Sequence, residues 1–544
     1  MSDSNKKECL TNDRSLSRRR FVQMAGIITA SHIFLQNKSF AGAQKTIGVK
    51  SKESVDLVKR LISADGGGNA QWASKLLENA FDCKKSLLSV RYVEIRQFER
   101  LIVKKKPGDL KSWDWTLAIQ AAIDMAEANG LVCVLPPGIL RITAPLQMGS
   151  NSKLYISPQT TVLKDFNSLN TYSGTVMNKG GDAGVYNVVI FGGGVIKSNT
   201  GRVGKHVVFF NSSFITVHGL KIRNTYSDWT TKFQNCNHVL IYGNDTDVCS
   251  DQVLTDGWHF KGKSNKIVIA NNRVRTGDDC IAFTQEVSVV DEIGDIEDVT
   301  IVNNVLDTAQ SSLIKLHVRA GINAAIRRIS VMDSSGESGR INKGGFAFYF
   351  SDDALSNNIS DIKVLGLTGR CARSGDYFGR IVGCSDIHIE NLVVYNPFRG
   401  LLVESSSRVS LERLTIADLR GAGLKISSGI TIQNVDGFLI SNACISGASQ
   451  HGIQLGSPGK PATNGVVSGG TVFNCASTGI RLTNANGVTV ENVTSYGNRN
   501  GIVEDVGSYN NRVVSNDVKY NSNTAISVIG LKSEAKGNVG FNGN

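Results

Sequence analysis

The chain has 544 residues, with 59 Lys and Arg against 47 Asp and Glu, a net charge of +12; Gly is abundant (56) and Pro scarce (8). That length implies several domains unless one unit repeats, and the composition favours many short strands joined by turns over helices. The basic balance suits an anionic partner, whereas nucleic acid is disfavoured because no Lys/Arg-rich segment with interleaved aromatics appears.

In chain order, residues 1–43 come first. Ser17-Arg18-Arg19-Arg20-Phe21-Val22-Gln23 reads as a twin-arginine signal, followed by an apolar stretch from Phe21 to Leu35 and small residues at Ser39, Ala41 and Ala43. The stretch is short for a bilayer span and is broken by Gln23, Ser31 and His32, so no stable membrane insertion is expected. Engagement of the twin-arginine export machinery and a periplasmic or extracellular destination follow as expectations. Residues 1–43 hold seven Lys/Arg and three Asp/Glu, so cleavage leaves 52 − 44 = +8.

Residues 44–112 form an N-terminal segment with helical patterning near Val55–Ile62 and Gln71–Phe81. From Thr116 to Ala128, Ile119, Ala122, Ile123 and Ala126 fall on one helical face. Asp114 is its candidate N-cap and Gly130 its stop, as expected of a helix capping a solenoid. Leu131–Leu135 reads as the first buried strand, ended by Pro136-Pro137-Gly138.

Residues 113–544 then repeat. Gly400-Leu-Leu-Val, Gly423-Leu-Lys-Ile, Gly452-Ile-Gln-Leu, Gly479-Ile-Arg-Leu, Gly501-Ile-Val-Glu and Ala525-Ile-Ser-Val recur every twenty-odd residues. A second strand type lies between them, as at Phe438-Leu-Ile-Ser and Arg512-Val-Val-Ser. Each unit reads as two short strands and two turns. The period extends back through Val188–Phe191, Val207–Phe210, Val239–Tyr242, Ile267–Ile269 and Val299–Val302. No unit buries its apolar face alone, whereas stacked units share a core. The fold class expected is all-β, a right-handed single-stranded parallel β-helix with an N-terminal capping helix. The ten cysteines show no CxxC or zinc spacing and mostly sit in apolar segments, so small buried core residues are expected in place of a disulfide framework. No metal and no cofactor is expected, and the protein is expected to be a monomer.

Chemistry concentrates in coils at about 205–330. Thr255-Asp256-Gly257-Trp258-His259-Phe260 is followed by Thr276-Gly277-Asp278-Asp279-Cys280-Ile281-Ala282-Phe283. Asp256 and Asp278 are 22 positions apart, one coil, so Asp256, Asp278 and Asp279 converge on one face. Paired carboxylates are what acid/base cleavage of a glycosidic bond requires; the competing reading of Asp278-Asp279 is a turn device. Crowded carboxylates repel, so at least one should keep its proton. Trp229 is a candidate sugar-stacking ring and His259 a candidate substrate contact. Lys315, His317 and Arg319 alternate along one strand as a basic cluster for an anionic sugar, and the acidic run Glu286–Glu297 reads as a loop at a cleft rim.

Ser227-Asp228-Trp229-Thr230, Thr255-Asp256-Gly257 and Gly277-Asp278-Asp279-Cys280-Ile281-Ala282 resemble three successive coils of the polygalacturonase family, the family 28 glycoside hydrolases of the pectin-lyase-like superfamily. The resemblance covers roughly residues 180–330. It implies an inverting hydrolase in which Asp278 is the general acid and Asp256 and Asp279 activate water, with acid and base ~6.5–9.5 Å apart. The chain departs from the family where it lacks the next coil's Gly-His-Gly and shows Leu313-Ile314-Lys315 in place of Arg-Ile-Lys. Two other readings compete with hydrolysis of an acidic polysaccharide. One is a polysaccharide lyase or uronate epimerase with Lys315 or Arg319 as base; the other is a non-catalytic exopolysaccharide-binding or assembly protein.

Overall fold

The computed structural model describes residues 56–540 apart from positions 58, 62–68, 88–91, 104–105, 107–108, 169–171, 227, 249–253, 287–292, 340–344, 372–376, 418 and 420–427. The twin-arginine motif and the cleavage zone lie outside the described residues. Within residues 56–540 the chain coils as a right-handed parallel β-helix, with strands stacked into three parallel sheets. Each full coil gives one strand to each sheet, so the unit has three strands, not the two read from the sequence. The missed strands form the second sheet. Many of them, such as Lys221–Arg223 and Asp245–Asp247, are three residues long with one buried side chain, too short to show a periodicity. Val207–Phe210 also changes place: it belongs to the third sheet, whereas Val188–Phe191 and Val239–Tyr242 belong to the first.

The turn from first to second sheet is two residues long in every coil from 193–194 to 492–493. Its first residue is often left-handed, as at Gly219, Gly243, Asn271 and Asn303 (φ between 54° and 73°), which is why Gly and Asn recur there. Its second residue points inward. Asn244, Asn272 and Asn304 are buried and stack at this corner; each Nδ2 donates to the next Oδ1 at 3.0 Å in both steps. The ladder satisfies amides that burial would otherwise leave unpaired. Inside the third sheet, Phe209, Phe233, Phe260 and Phe283 stack coil on coil with ring centres 5.0–6.1 Å apart.

Helices also pack against the coils. Helix α1 (Ala70–Ser86) packs on the first sheet at Ser213–His218 and Asn237–Tyr242. Helix α2 (Thr116–Ala128) buries Ile119, Ala122, Ile123 and Ala126 against the earliest strands. Asp114 does not sit at the N-cap position, which Trp115 occupies, but its carboxylate accepts the Thr116 amide at 3.0 Å and so performs the same role one residue earlier. Gly130 follows the helix with φ 65°. The strand Val132–Leu135 is preceded by Tyr92–Glu94, which pairs with it in parallel. Among the C-terminal coils, Leu401 pairs with Ile430, so Gly429 continues the column of Gly400; Gly423 lies outside the described residues. Both segments fit a Gly-apolar-x-apolar pattern, and hydrogen-bond register selects the second. The described cysteines 83, 133, 236, 280, 384 and 475 are free and buried, and Cys444 is free and exposed. Among the described residues no helix is long and apolar enough to cross a membrane.

Candidate active site

The corner between the second and third sheets carries the acidic residues. Asp256 precedes the strand Trp258–Lys261, and Asp278 and Asp279 precede Ile281–Gln285. Trp258 pairs with Ile281, so the rung partner of Asp256 is Asp279, 23 residues on, with Asp278 beside them. The corner is tied by its own backbone: Gly257 N–H donates to the Asp279 carbonyl at 2.8 Å and Gly277 N–H to the Thr255 hydroxyl at 3.0 Å. Gly257 admits no side chain, since a Cβ would lie 2.3 Å from the Cys280 carbonyl oxygen. The Thr276 hydroxyl donates to the Asp278 carbonyl at 2.7 Å, and the Thr308 hydroxyl donates to it as well.

One carboxylate oxygen from each of Asp256, Asp278 and Asp279 lies within 4.8 Å of the others. This approach is tighter than the ~6.5–9.5 Å expected between acid and base, because adjacent rungs hold the backbones close and the side chains do not diverge. The three are not equivalent. Asp256 and Asp279 are 3% and 2% exposed, whereas Asp278 is partly open to solvent. The Asp279 carboxylate accepts the Ser312 amide at 2.9 Å and the Ser311 hydroxyl at 2.7 Å, and pairs with Lys315 at 3.1 Å. Asp256 accepts the Asp279 amide at 3.2 Å, and its other oxygen lies 2.6 Å from His259 Nδ1. Burial, and then repulsion from Asp279 and Asp256, push the Asp278 carboxyl up to about 7. The same causes, burial first and Asp279 second, hold the Asp256 carboxyl well above the usual range.

The expected substrate contacts divide. His259 is 2% exposed and spans Asp256 and Thr284, with Nε2 2.8 Å from the Thr284 hydroxyl. Burial, helped by Lys261, drives its imidazole toward the neutral form. It is a buried support for Asp256 and not a surface contact, since the outer face of its ring is covered by Trp229, stacked at 3.7 Å and 14°. Trp229 in turn has the ammonium groups of Lys205, Lys232 and Lys261 within 5.4–6.0 Å of its ring. Lys315 faces the carboxylates from the strand directly after that of Ile281–Gln285, with its Nζ 3.1 Å from an Asp279 oxygen. Burial opposes its charge, but Asp279 and Asp256 outweigh burial and raise its pKa. His317 lies two residues on, held at 3.0 Å by Asp353 and at 3.6 Å by Glu286. Arg319 is exposed at the end of that strand. Of the acidic run Glu286–Glu297, residues 287–292 lie outside the described residues; Glu286 itself joins this network, its carboxyl depressed to about 2 chiefly by the neighbouring His317. Ser311, Ser312 and Thr284 were missed in the sequence, because hydroxyls are common in turns and only the register brings them to the carboxylates.

The family model for glycosyl hydrolases family 28 matches residues 171–305, and that for a right-handed β-helix region matches residues 425–544. Comparison with curated protein sequences finds no match. Similar solved structures include a surface protein and adhesin of Streptococcus pneumoniae (12% identity, TM-score 0.46, covering 82% of this chain and 100% of that one). A family 28 exopolygalacturonase of Yersinia enterocolitica aligns at 15% identity and TM-score 0.43, covering 82% and 78%. An exopolygalacturonase of Thermotoga maritima aligns at 14% and 0.42, covering 76% and 94%. With the family 28 match lying over the carboxylate-bearing coils, the chain is a polygalacturonase-like, pectin-lyase-like parallel β-helix protein.

Proposed function

We propose that this protein is an exported glycoside hydrolase that cleaves an acidic polysaccharide, with Asp278 as general acid and Asp256 and Asp279 activating the attacking water. The observation that carries the reading is the meeting of three carboxylates within 4.8 Å at one corner, one of them partly exposed and with a pKa near 7. A carboxyl group that titrates there still holds a proton at working pH and can pass it to the leaving glycosidic oxygen. Asp256 and Asp279 have both oxygens engaged and are wedged into the turn. They are poorly placed to advance onto an anomeric carbon. Inversion is therefore the outcome expected, despite the close approach of the carboxylates.

The charge balance supports an anionic substrate. Export rests on the twin-arginine motif at residues 17–23. A lyase or epimerase needs a neutral base beside the sugar carboxylate, and Lys315 is instead held charged by Asp279 and Asp256. The test is digestion of acidic and neutral polysaccharides by the protein without residues 1–43, read for new reducing ends and for ultraviolet-absorbing unsaturated products. Reducing ends of inverted anomeric form, lost in Asp278→Asn, are expected. Unsaturated products would replace this reading with the lyase. Binding without turnover, indifferent to replacing all three Asp residues, would leave a carbohydrate-binding protein.

A further inference from the structure

The first and last described coils are finished differently. Over the first, α2 buries Ile119, Ala122, Ile123 and Ala126 against the earliest strands. On the last, Thr524–Ser527 of the third sheet and Glu534–Lys536 of the first sheet each have a hydrogen-bonded neighbour on one side only among the described residues. Ala535 pairs with Val513 and so extends the buried column of Val490 and Val513, yet it is itself exposed. Large apolar side chains gather beside it: Tyr520, Ile529, Leu531 and Val539 are all exposed, Leu531 to 76%.

Backbone alternation decides what this edge offers. Glu534 N–H donates to the Asn511 carbonyl at 2.9 Å, and the Lys536 carbonyl accepts the Ser515 N–H at 3.0 Å, so both residues turn their backbone groups to the preceding coil. Between them, the N–H and carbonyl of Ala535 point away from that coil. A strand edge with free backbone groups is a template for another strand. This one is complementary to itself. Across a two-fold axis at Ala535 a second copy of the edge runs antiparallel, and the two Ala535 residues exchange both backbone hydrogen bonds. Each Glu534 then stands opposite the partner's Lys536, and opposite charges in that position attract. The two-fold registers one residue to either side would set Glu534 or Lys536 against its own copy. Glu534 already meets Arg512 at 2.9 Å, whereas Lys536 has no carboxylate partner among the described residues.

The geometry points to a two-fold dimer, in place of the monomer expected from the sequence, in which the strand Glu534–Lys536 of one copy pairs with the same strand of a second. The occupant of this edge is another copy of the chain because the edge matches itself in charge and in backbone register at once. Ile529, Leu531 and Val539 lie beside the junction, and their apolar surface leaves water as it forms. With the first coil closed by α2, the contact cannot repeat head to tail, so assembly stops at two copies. The sheets run on from one copy into the next, with one acidic corner on each side of the junction. None of this depends on the reaction assigned to those corners.

Sedimentation equilibrium at micromolar concentrations reads the assembly, on the full chain and on the protein without residues 1–43. A dimer is expected in both. Ala535→Pro removes an N–H that faces away from the preceding coil, and should raise the dimer dissociation constant by about tenfold or more. Lys536→Glu sets like charges across the axis and should raise it by about tenfold as well. Adding Glu534→Lys to Lys536→Glu reverses the pair without losing it and should recover most of the association. Circular dichroism melts of each variant report folding, and the charge pair keeps the test open should the proline variant fail to fold. A monomer throughout, an assembly larger than two, or a dimer indifferent to both Ala535→Pro and Lys536→Glu overturns the proposal. So does a loss in Lys536→Glu that Glu534→Lys does not recover.

Discussion

Asp279→Asn tests whether the acidic corner tunes its own proton donor. The substitution keeps the shape of the side chain and removes a negative charge that lies within 4.8 Å of an Asp278 oxygen. At an effective dielectric of about 20, two charges 4.8 Å apart repel by about 3.5 kcal/mol, equivalent to roughly 2.5 pKa units. Removing a like charge favours the ionised form, so the Asp278 midpoint should fall from about 7 by about two units. The drop should stop short of the ordinary carboxylate value, because burial is the larger cause and remains. The released Lys315 cation acts in the same direction. Infrared difference titration of the protonated carboxyl stretch, with Asp278→Asn as the blank, reads the midpoint directly and needs no turnover. A midpoint that stays within half a unit of about 7, or rises, refutes electrostatic coupling as part of the cause.

Lys315→Met has the opposite sign: losing the cation should raise the Asp278 midpoint and shift the alkaline limb of kcat to higher pH. It should also lower stability by about 3 kcal/mol, since Asp279 is left buried and unpaired; urea denaturation checks this. Asp278→Asn should stabilise the fold more at pH 8 than at pH 5. A raised folded pKa means that the folded state holds the proton between the unfolded value and about 7, so the cost of ionisation is complete only above that window; melting temperatures at the two pH values measure it. Trp229→Ala should uncover His259 and reduce kcat/KM by about tenfold, with Trp229→Phe retaining most of it. Chelator treatment should leave cleavage unchanged, because Lys315 already balances the charge of Asp279; loss of activity on chelation would point to a bound cation among the three carboxylates.

The parallel β-helix was legible because its repeat is written in apolar clusters, and the acidic corner because Asp256, Asp278 and Asp279 are spaced by one coil. The number of strands per coil was not, since strands such as Asp245–Asp247 bury a single residue. Nor was the fate of His259, as a histidine three residues after an aspartate reads equally well as an exposed contact. Its burial depends on Trp229 arriving from the preceding coil. The support from Lys315, Ser311 and Ser312 escaped notice because the step from Asp279 to Ser312 spans 33 residues, ten more than the step before it, and loop length hides such a partner until the register is known.

The two-residue corner with its asparagine ladder has one more consequence. Because that edge keeps one length from 193–194 to 492–493, it acts as a spine that sets the pitch of those coils, and insertions there are diverted to the other two edges. Both of those border the third sheet. Residues can be added or deleted beside the acidic groove, coil by coil, while the spacing between rungs stays fixed. New walls can therefore be built without re-aiming Asp256, Asp278 and Asp279.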